Sequence, residues 1–180
     1  MEKKKLFLSS TIQINTFKNF LIIKGVFGVV KINIKIPLAI KYNDYSLCLA
    51  LKKKSYSCLT KSMLGTLRSQ LFKIVKGVYK YHLVKLKFIG VGYKAFLKKN
   101  FLILRLGFSH KIFCTIPKIV KISKIKKRPP TFLLKSFDLN VLNLTSFLIR
   151  SFKKPEPYKG KGILFVNEYV KLKQGKKTKN

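Results

Sequence analysis

Acidic residues are almost missing from this chain. Glu2, Asp44, Asp138, Glu156 and Glu168 are the five carboxylates among 180 residues, set against 40 lysines and arginines, and the formal net charge is +35. Self-repulsion on that scale opposes compaction unless a polyanion neutralises it, so an ordinary solvated charged face does not account for the balance. The shortage also argues against an enzyme. General acid–base chemistry needs paired or metal-bound groups, and no two of the five carboxylates form a recognisable pair. Ser109 and His110 are adjacent, yet no general motif sets a nucleophile beside its base in sequence. Gly90-Val91-Gly92 lacks the third glycine of a dinucleotide fingerprint.

Cysteine and histidine are scarce as well. Cys48, Cys58 and Cys114 are widely spaced with no C-x-x-C pair, and only His82 and His110 could join them. That pattern argues against a zinc site and against a disulfide framework, and reads as buried free thiols in a reducing compartment. No metal and no cofactor is expected. Long apolar runs are absent too: the uncharged run Leu6 to Phe17, about 12 residues with Ser, Thr, Gln and Asn inside it, falls short of the ~18–20 needed to span a bilayer. No membrane insertion is expected. The opening Met-Glu-Lys-Lys-Lys matches neither a signal peptide nor an Arg- and Ser-rich transit peptide, so the expectation is that no import is needed or that the chain is already mature. Arginine is limited to Arg68, Arg105, Arg128 and Arg150, leaving 36 of the 40 basic residues as lysine. Lysine is a mobile point charge, suited to phosphate and poor at bidentate base reading. Tryptophan is absent and alanine scarce, while Ile, Phe and Asn are common, which resembles the drift of an AT-rich genome such as many organelles carry.

What is present is a core. Hydrophobic residues make up 47% of the chain, too many for a disordered basic tail. Alternation over Thr11–Ile14 and Val30–Ile36, with Phe20–Ile23 between them, predicts a hairpin turning at Gly25–Gly28. Ser46–Leu51 reads as a strand after the Tyr42-Asn43-Asp44 turn, and 55–61 stays ambiguous. From Leu64 to Val78 the period is helical, with Ser62 as N-cap and Gly77 as C-terminal stop. This closes a first module at 1–80.

A second module at 81–180 repeats the order of strands then helix. Val84, Leu86 and Phe88 alternate with lysines, and Gly90 and Gly92 bend the chain towards Tyr93–Leu97. Strands follow at Phe101–Leu106, Ile112–Ile116, Lys118–Ile125 and Thr131–Leu134. Asp138 caps a helix over Leu139–Phe152 whose apolar residues lie nearly all round, predicting contact with two neighbours. A last strand is expected over Ile163–Val170, ahead of a basic tail. The fold class is α+β: two tandem similar modules, each a small, mostly antiparallel sheet packed on one helix.

The most informative stretch is Lys153-Lys-Pro-Glu-Pro-Tyr-Lys-Gly-Lys-Gly-Ile163. Two prolines bar helix and central strand, and two glycines permit close approach or positive φ. Lys153, Lys154, Lys159 and Lys161 supply charge, and Tyr158 supplies a flat face. Such a loop suits a phosphate backbone, and folded RNA is read by shape. An anionic membrane is the main competing partner, but it favours a long amphipathic helix with a basic face, and Leu64–Val78 reads as core-facing. Composition alone does not separate RNA from DNA.

These residues carry a resemblance. Pro155-Glu-Pro-Tyr-Lys-Gly-Lys-Gly-Ile163 resembles the C-terminal signature of the large-subunit ribosomal protein six family, bacterial and organelle type. Leu86–Ala95 resembles its GVGY strand, Leu104–His110 its LxLGYSH turn, and Lys76-Gly77-Val78 the end of its first helix. Ile149-Arg150 and Glu168–Lys171 fall where the family has similar residues. Val26 and Phe27 depart from the family's usual first hairpin turn, and Ser146-Phe147 replaces an alanine pair, which implies local repacking of the second helix. The resemblance implies a structural, non-catalytic role: binding large-subunit rRNA near the sarcin–ricin loop and stalk base, beside neighbouring ribosomal proteins and within reach of translation factors. Carried across, the rRNA contacts are Lys153, Lys154, Tyr158, Lys159, Gly160, Lys161 and Gly162, followed by Lys171, Lys173, Lys176 and Lys177. Composition and the missing transit pattern suggest an organelle ribosome, with the mitochondrion preferred and a plastid as the alternative. The competing function is a non-specific nucleic-acid-binding or compacting basic protein. Glu156 reads as structural, paired with a nearby lysine.

Overall fold

A computed structural model describes residues 6–7, 9, 11–17, 20–34, 38–43, 46–51, 58–99 and 101–175. Lys176 and Lys177 lie outside them. The chain divides into two compact units, Met1–His82 with Phe137–Leu139, and Leu83–Ser136 with Asn140–Asn180.

In the first unit the strands are β1 (Leu6–Phe7), β2 (Gln13–Phe17), β3 (Phe20–Gly25), β4 (Gly28–Asn33), β5 (Leu38–Asn43) and β6 (Ser46–Leu51), followed by helix α1 (Cys58–Tyr79). Two three-stranded sheets form, in the orders β2-β3-β4 and β1-β6-β5. The Gly25–Gly28 hairpin closes with Ile23 opposite Val30 and Leu21 opposite Ile32. Alternation puts Leu21 and Ile23 inside, where they meet Ile12, Ile14, Leu47, and Leu71 and Val75 of α1. Burying a leucine or isoleucine contributes about 1.5–3 kcal/mol, so this cluster anchors the unit.

Helix α1 starts earlier than its periodicity suggests. Ser62 lies inside it rather than at its cap, and the ambiguous stretch before it supplies the first turn. Gly77 is also helical, two residues short of the end. Its role is packing: a side chain there would run into the Phe137 carbonyl and lie 2.8 Å from the His82 ring. The same ring hydrogen-bonds the Lys73 carbonyl at 2.9 Å.

The second unit holds β7 (His82–Ile89, its first residue in the other unit), β8 (Lys94–Lys98), β9 (Phe101–Arg105), β10 (Ile112–Thr115), β11 (Lys121–Lys126), β12 (Thr131–Ser136), helix α2 (Leu139–Ser151) and β13 (Gly162–Phe165). Its sheets run β10-β9-β8 and β11-β12-β7-β13. Leu86 and Phe88 of β7 and Phe132 and Leu134 of the neighbouring β12 are buried, and Phe88 meets Phe132 edge-to-face with centroids 5.5 Å apart. Two small antiparallel-sheet modules with one helix each are what the alternation and the helical periods describe.

Three local expectations are corrected. Helix α2 buries one side only, through Leu142, Thr145, Ser146 and Ile149, while Leu144, Phe147 and Leu148 are exposed. Phe147 therefore leaves the core unchanged and packs edge-on against Phe165 at 5.4 Å. The last strand ends at Phe165 rather than Val170, because the chain turns at Val166-Asn167 and Glu168 caps it by accepting from the Phe165 amide at 3.2 Å.

Candidate nucleic-acid interface

Helix α2 delivers the chain to the lysine loop, and β13 takes it away along the edge of the sheet beside β7. Between them the backbone is tied to itself. The Ile163 amide donates to the Lys153 carbonyl at 2.9 Å, closing the base. Inside, the Glu156 amide donates to the Lys161 carbonyl and the Gly160 amide to the Glu156 carbonyl, each at 2.9 Å. The chain beyond β13 then returns, and the Lys173 amide donates to the Pro157 carbonyl at 2.8 Å. The prolines explain the shape: with φ fixed and no amide to donate, Pro155 and Pro157 act as corners, and the Pro157 carbonyl accepts from the returning tail. The loop is therefore a fixed arch with the tail strapped to it.

Gly162 is where the arch depends on glycine. Its φ is +150°, and a Cβ there would lie 2.6 Å from Pro155 Cα and 2.8 Å from the Lys154 carbonyl oxygen. No other residue type fits without moving the loop.

The arch forms one wall of an open recess of about 590 Å³ lined by Val91, Tyr93, Gly107, Lys153, Lys154 and Lys161, with Leu106 and Glu156. Three of the lysines expected to bind RNA thus converge on one hollow. Lys153 is half-buried with its Nζ 4.4 Å from the centre of the Phe108 ring, so its ammonium is steered by a cation–π contact. Lys154 is exposed and Lys161 half-buried. Tyr158 and Lys159 stand exposed on the crown of the arch, away from the recess lining. Lys171 and Lys173 are exposed on the returning tail.

Two residues of the site are marked in the sequence only by the family-like stretches that contain them, not by charge or spacing. Tyr93 lines the recess, and burial, then the Glu156 carboxylate, raise its phenol above the ordinary tyrosine value. It remains a hydrogen-bond donor at neutral pH. Phe108, which seats Lys153, lies in the turn after β9. Both reach the arch only through the fold of the sheets, so no local spacing announces them.

Arg150 at the end of α2 holds Glu168 in an ion pair, donating from both Nε and Nη2 to the carboxylate. The Arg150 hydrogen bond is the largest cause that lowers the Glu168 pKa below the ordinary glutamate value, with a smaller contribution from the Phe165 amide. The guanidinium also lies 5.9 Å from the Phe165 ring. This pair fixes the turn that sends the tail back towards the arch. No ion pair joins Glu156 to its expected lysine partner among the described residues; Glu156 is instead exposed, and its backbone shapes the arch.

Among the described residues no group of three His, Cys, Asp or Glu side chains could hold a metal ion. No helix among them is long and apolar enough to cross a membrane. Fold and site together define a class: a strongly basic, two-module α+β protein whose rigid lysine arch suits a polyanion surface.

The family described as Ribosomal protein L6 matches residues 89–165, the span that contains recess and arch. The chain is 38% identical over 163 residues to the large ribosomal subunit protein uL6 of Karelsulcia muelleri, covering 89% of this chain and 88% of that one. It is 33% identical over 177 residues to uL6c of Phaeodactylum tricornutum, covering 98% and 97%. With uL6 of Mycoplasmoides gallisepticum it shares 34% identity over 167 residues, 93% and 90% of the two chains. The chain belongs to the ribosomal protein L6 family, a structural family without enzymatic activity.

Proposed function

We propose that this chain is a structural constituent of the large ribosomal subunit that holds folded rRNA with the arch and tail of its second module. We take the modules as 1–80 and 81–180, close to the two compact units, and place the RNA-binding residues in the latter. The observation that carries the reading is the convergence of Lys153, Lys154 and Lys161 on one recess, on a backbone held by hydrogen bonds across the arch. A preorganised cationic arch matches phosphates at fixed spacing, which is how RNA helices are recognised by shape. Lys159, Lys171, Lys173 and the ring of Tyr158 extend that surface, and Lys176 and Lys177 continue the tail.

The family resemblance supports placing the contact near the sarcin–ricin loop and stalk base, beside other ribosomal proteins and close to where translation factors act. Residue usage supports an organelle ribosome, the mitochondrion first. The relative named uL6c favours the alternative of a plastid. Detection of the protein in purified mitochondria, plastids or neither decides between them.

The test of function is binding of the purified chain to large-subunit rRNA fragments and to random RNA at moderate salt, with co-sedimentation with the large subunit as the second readout. Preferential binding, lost when 153–163 is scrambled at constant charge, is the expected outcome. Equal binding to both RNAs, unchanged by scrambling, replaces this reading with a non-specific compacting protein.

A further inference from the structure

The β8-β9-β10 sheet of the second unit has one face inside and one outside. Ala95, Leu102, Leu104 and Cys114 point inward and are buried, while Leu97, near the end of β8 on the same side, is 44% exposed. The register puts the outward residues in rows. Phe96 lies opposite Ile103, and Ile103 opposite Phe113, so two phenylalanines flank an isoleucine straight across three strands. In the next row Lys98 lies opposite Phe101 and Phe101 opposite Thr115; on the other side Lys94 lies opposite Arg105. Phe113 is 64% exposed, Phe96 51% and Phe101 47%.

Exposed aromatic rings on a pleated face are costly in water, and three on one small sheet are not scattered surface apolars. Their surroundings identify the occupant. Lys94, Lys98 and Arg105 bracket the rings, all exposed, and no acid occurs in the three strands. The exposed apolar stripe of α2, Leu144, Phe147 and Leu148, provides the contrast: no cation stands on that helix except Arg150, which Glu168 already holds. A protein surface would be matched by the α2 kind of face. Rings interleaved with cations on a sheet match a strand of nucleic acid, whose bases stack on the rings while its phosphates meet the cations.

We propose that the outer face of β8-β9-β10 is a stacking platform for unpaired RNA bases, with Phe96, Phe113 and Phe101 as the stacking residues and Lys94, Lys98 and Arg105 on the phosphates. It rests on the reading of the chain as an RNA-binding protein but uses different chemistry from the arch, which grips backbone. Strands lie about 4.8 Å apart, so Phe96 and Phe113 are separated by roughly 10 Å, room for two or three bases drawn across the sheet.

The full chain has no tryptophan, so Phe113→Trp introduces a single indole that keeps a stacking surface. Adding an oligouridylate of about ten nucleotides should quench that indole, and a blunt RNA duplex of equal length should not. The double variant Phe96→Ala/Phe113→Ala should weaken oligouridylate binding by roughly tenfold or more. Its affinity for folded large-subunit rRNA fragments through the arch should be largely kept. Quenching by duplex and single strand alike, or oligouridylate binding without quenching and without loss in the double variant, overturns the platform. An indole that shifts to the blue with protein concentration and ignores RNA assigns the face to protein contact and also overturns it. Failure of the arch would show separately, as loss of preference for folded rRNA in the unsubstituted chain with the quench intact.

Discussion

At the scale of single residues, Gly162 and the Arg150–Glu168 pair fix where the chain turns. Gly162→Ala adds a methyl against Pro155 and the Lys154 carbonyl in a left-handed backbone region, and strain of this kind costs about 1–3 kcal/mol. The expected outcome is a melting temperature lower by roughly 2–10 °C, with folded-rRNA affinity falling in parallel because the arch reshapes. Glu168 has its pKa lowered, chiefly by the Arg150 hydrogen bond, so its ionised form is favoured by folding. The stabilisation is complete above the ordinary glutamate pKa and disappears as pH falls through the lowered value of the folded protein. Glu168→Gln should cost about 1 kcal/mol at neutral pH, a modest figure because both side chains are partly exposed. It should also flatten the acid side of the stability–pH curve in denaturant titrations.

At the scale of elements, the lysine arch yields a quantitative expectation. Each phosphate contact removed lowers the salt dependence of binding by about 0.7–0.9 in the log–log slope, so Lys153→Gln, Lys154→Gln, Lys159→Gln and Lys161→Gln together should reduce it by roughly 3. If about ten lysines meet phosphates, the unsubstituted chain should show a slope of roughly −7 to −9 in filter-binding titrations. Much of this element was readable in advance, since prolines, glycines and lysines at that spacing admit few other conformations. Its neighbours were not. Tyr93 and Phe108 join the arch through sheet packing, which leaves no trace in local periodicity. The same limit explains α1: amphipathic spacing marks the part of a helix that faces a core, so its first turn, before Leu64, went unmarked. Ser62 resembled a cap because a cap residue and an exposed helical serine look alike in sequence. On α2 the second apolar stripe implied a second covering layer, yet Leu144 and Leu148 remain exposed. Hydrophobicity records what a surface prefers to touch, not whether this chain itself supplies the contact.

At the scale of the whole molecule, charge dominates. A net +35 over 180 residues means that the free protein is held together against its own field. Added salt screens exposed charges beyond about 10 Å at 0.1 M. Thermal melts should therefore move upward by several degrees as salt rises from roughly 0.05 to 0.5 M, and a polyanion should do the same at far lower concentration through preferential binding to the folded state. A melting temperature independent of both would show that the core tolerates the repulsion unaided. One buried atom makes this process countable. Cys114 lies on the hidden side of β10, 2% exposed, with its thiol pushed above the ordinary cysteine value by burial. An alkylating reagent reaches that sulfur only when the strand lifts, so the rate of carbamidomethylation there, read by mass spectrometry, clocks each opening of the sheet. If RNA closes over the other side, the clock slows, and the assembly of protein with nucleic acid acquires a chemical stopwatch placed in the core by the fold itself.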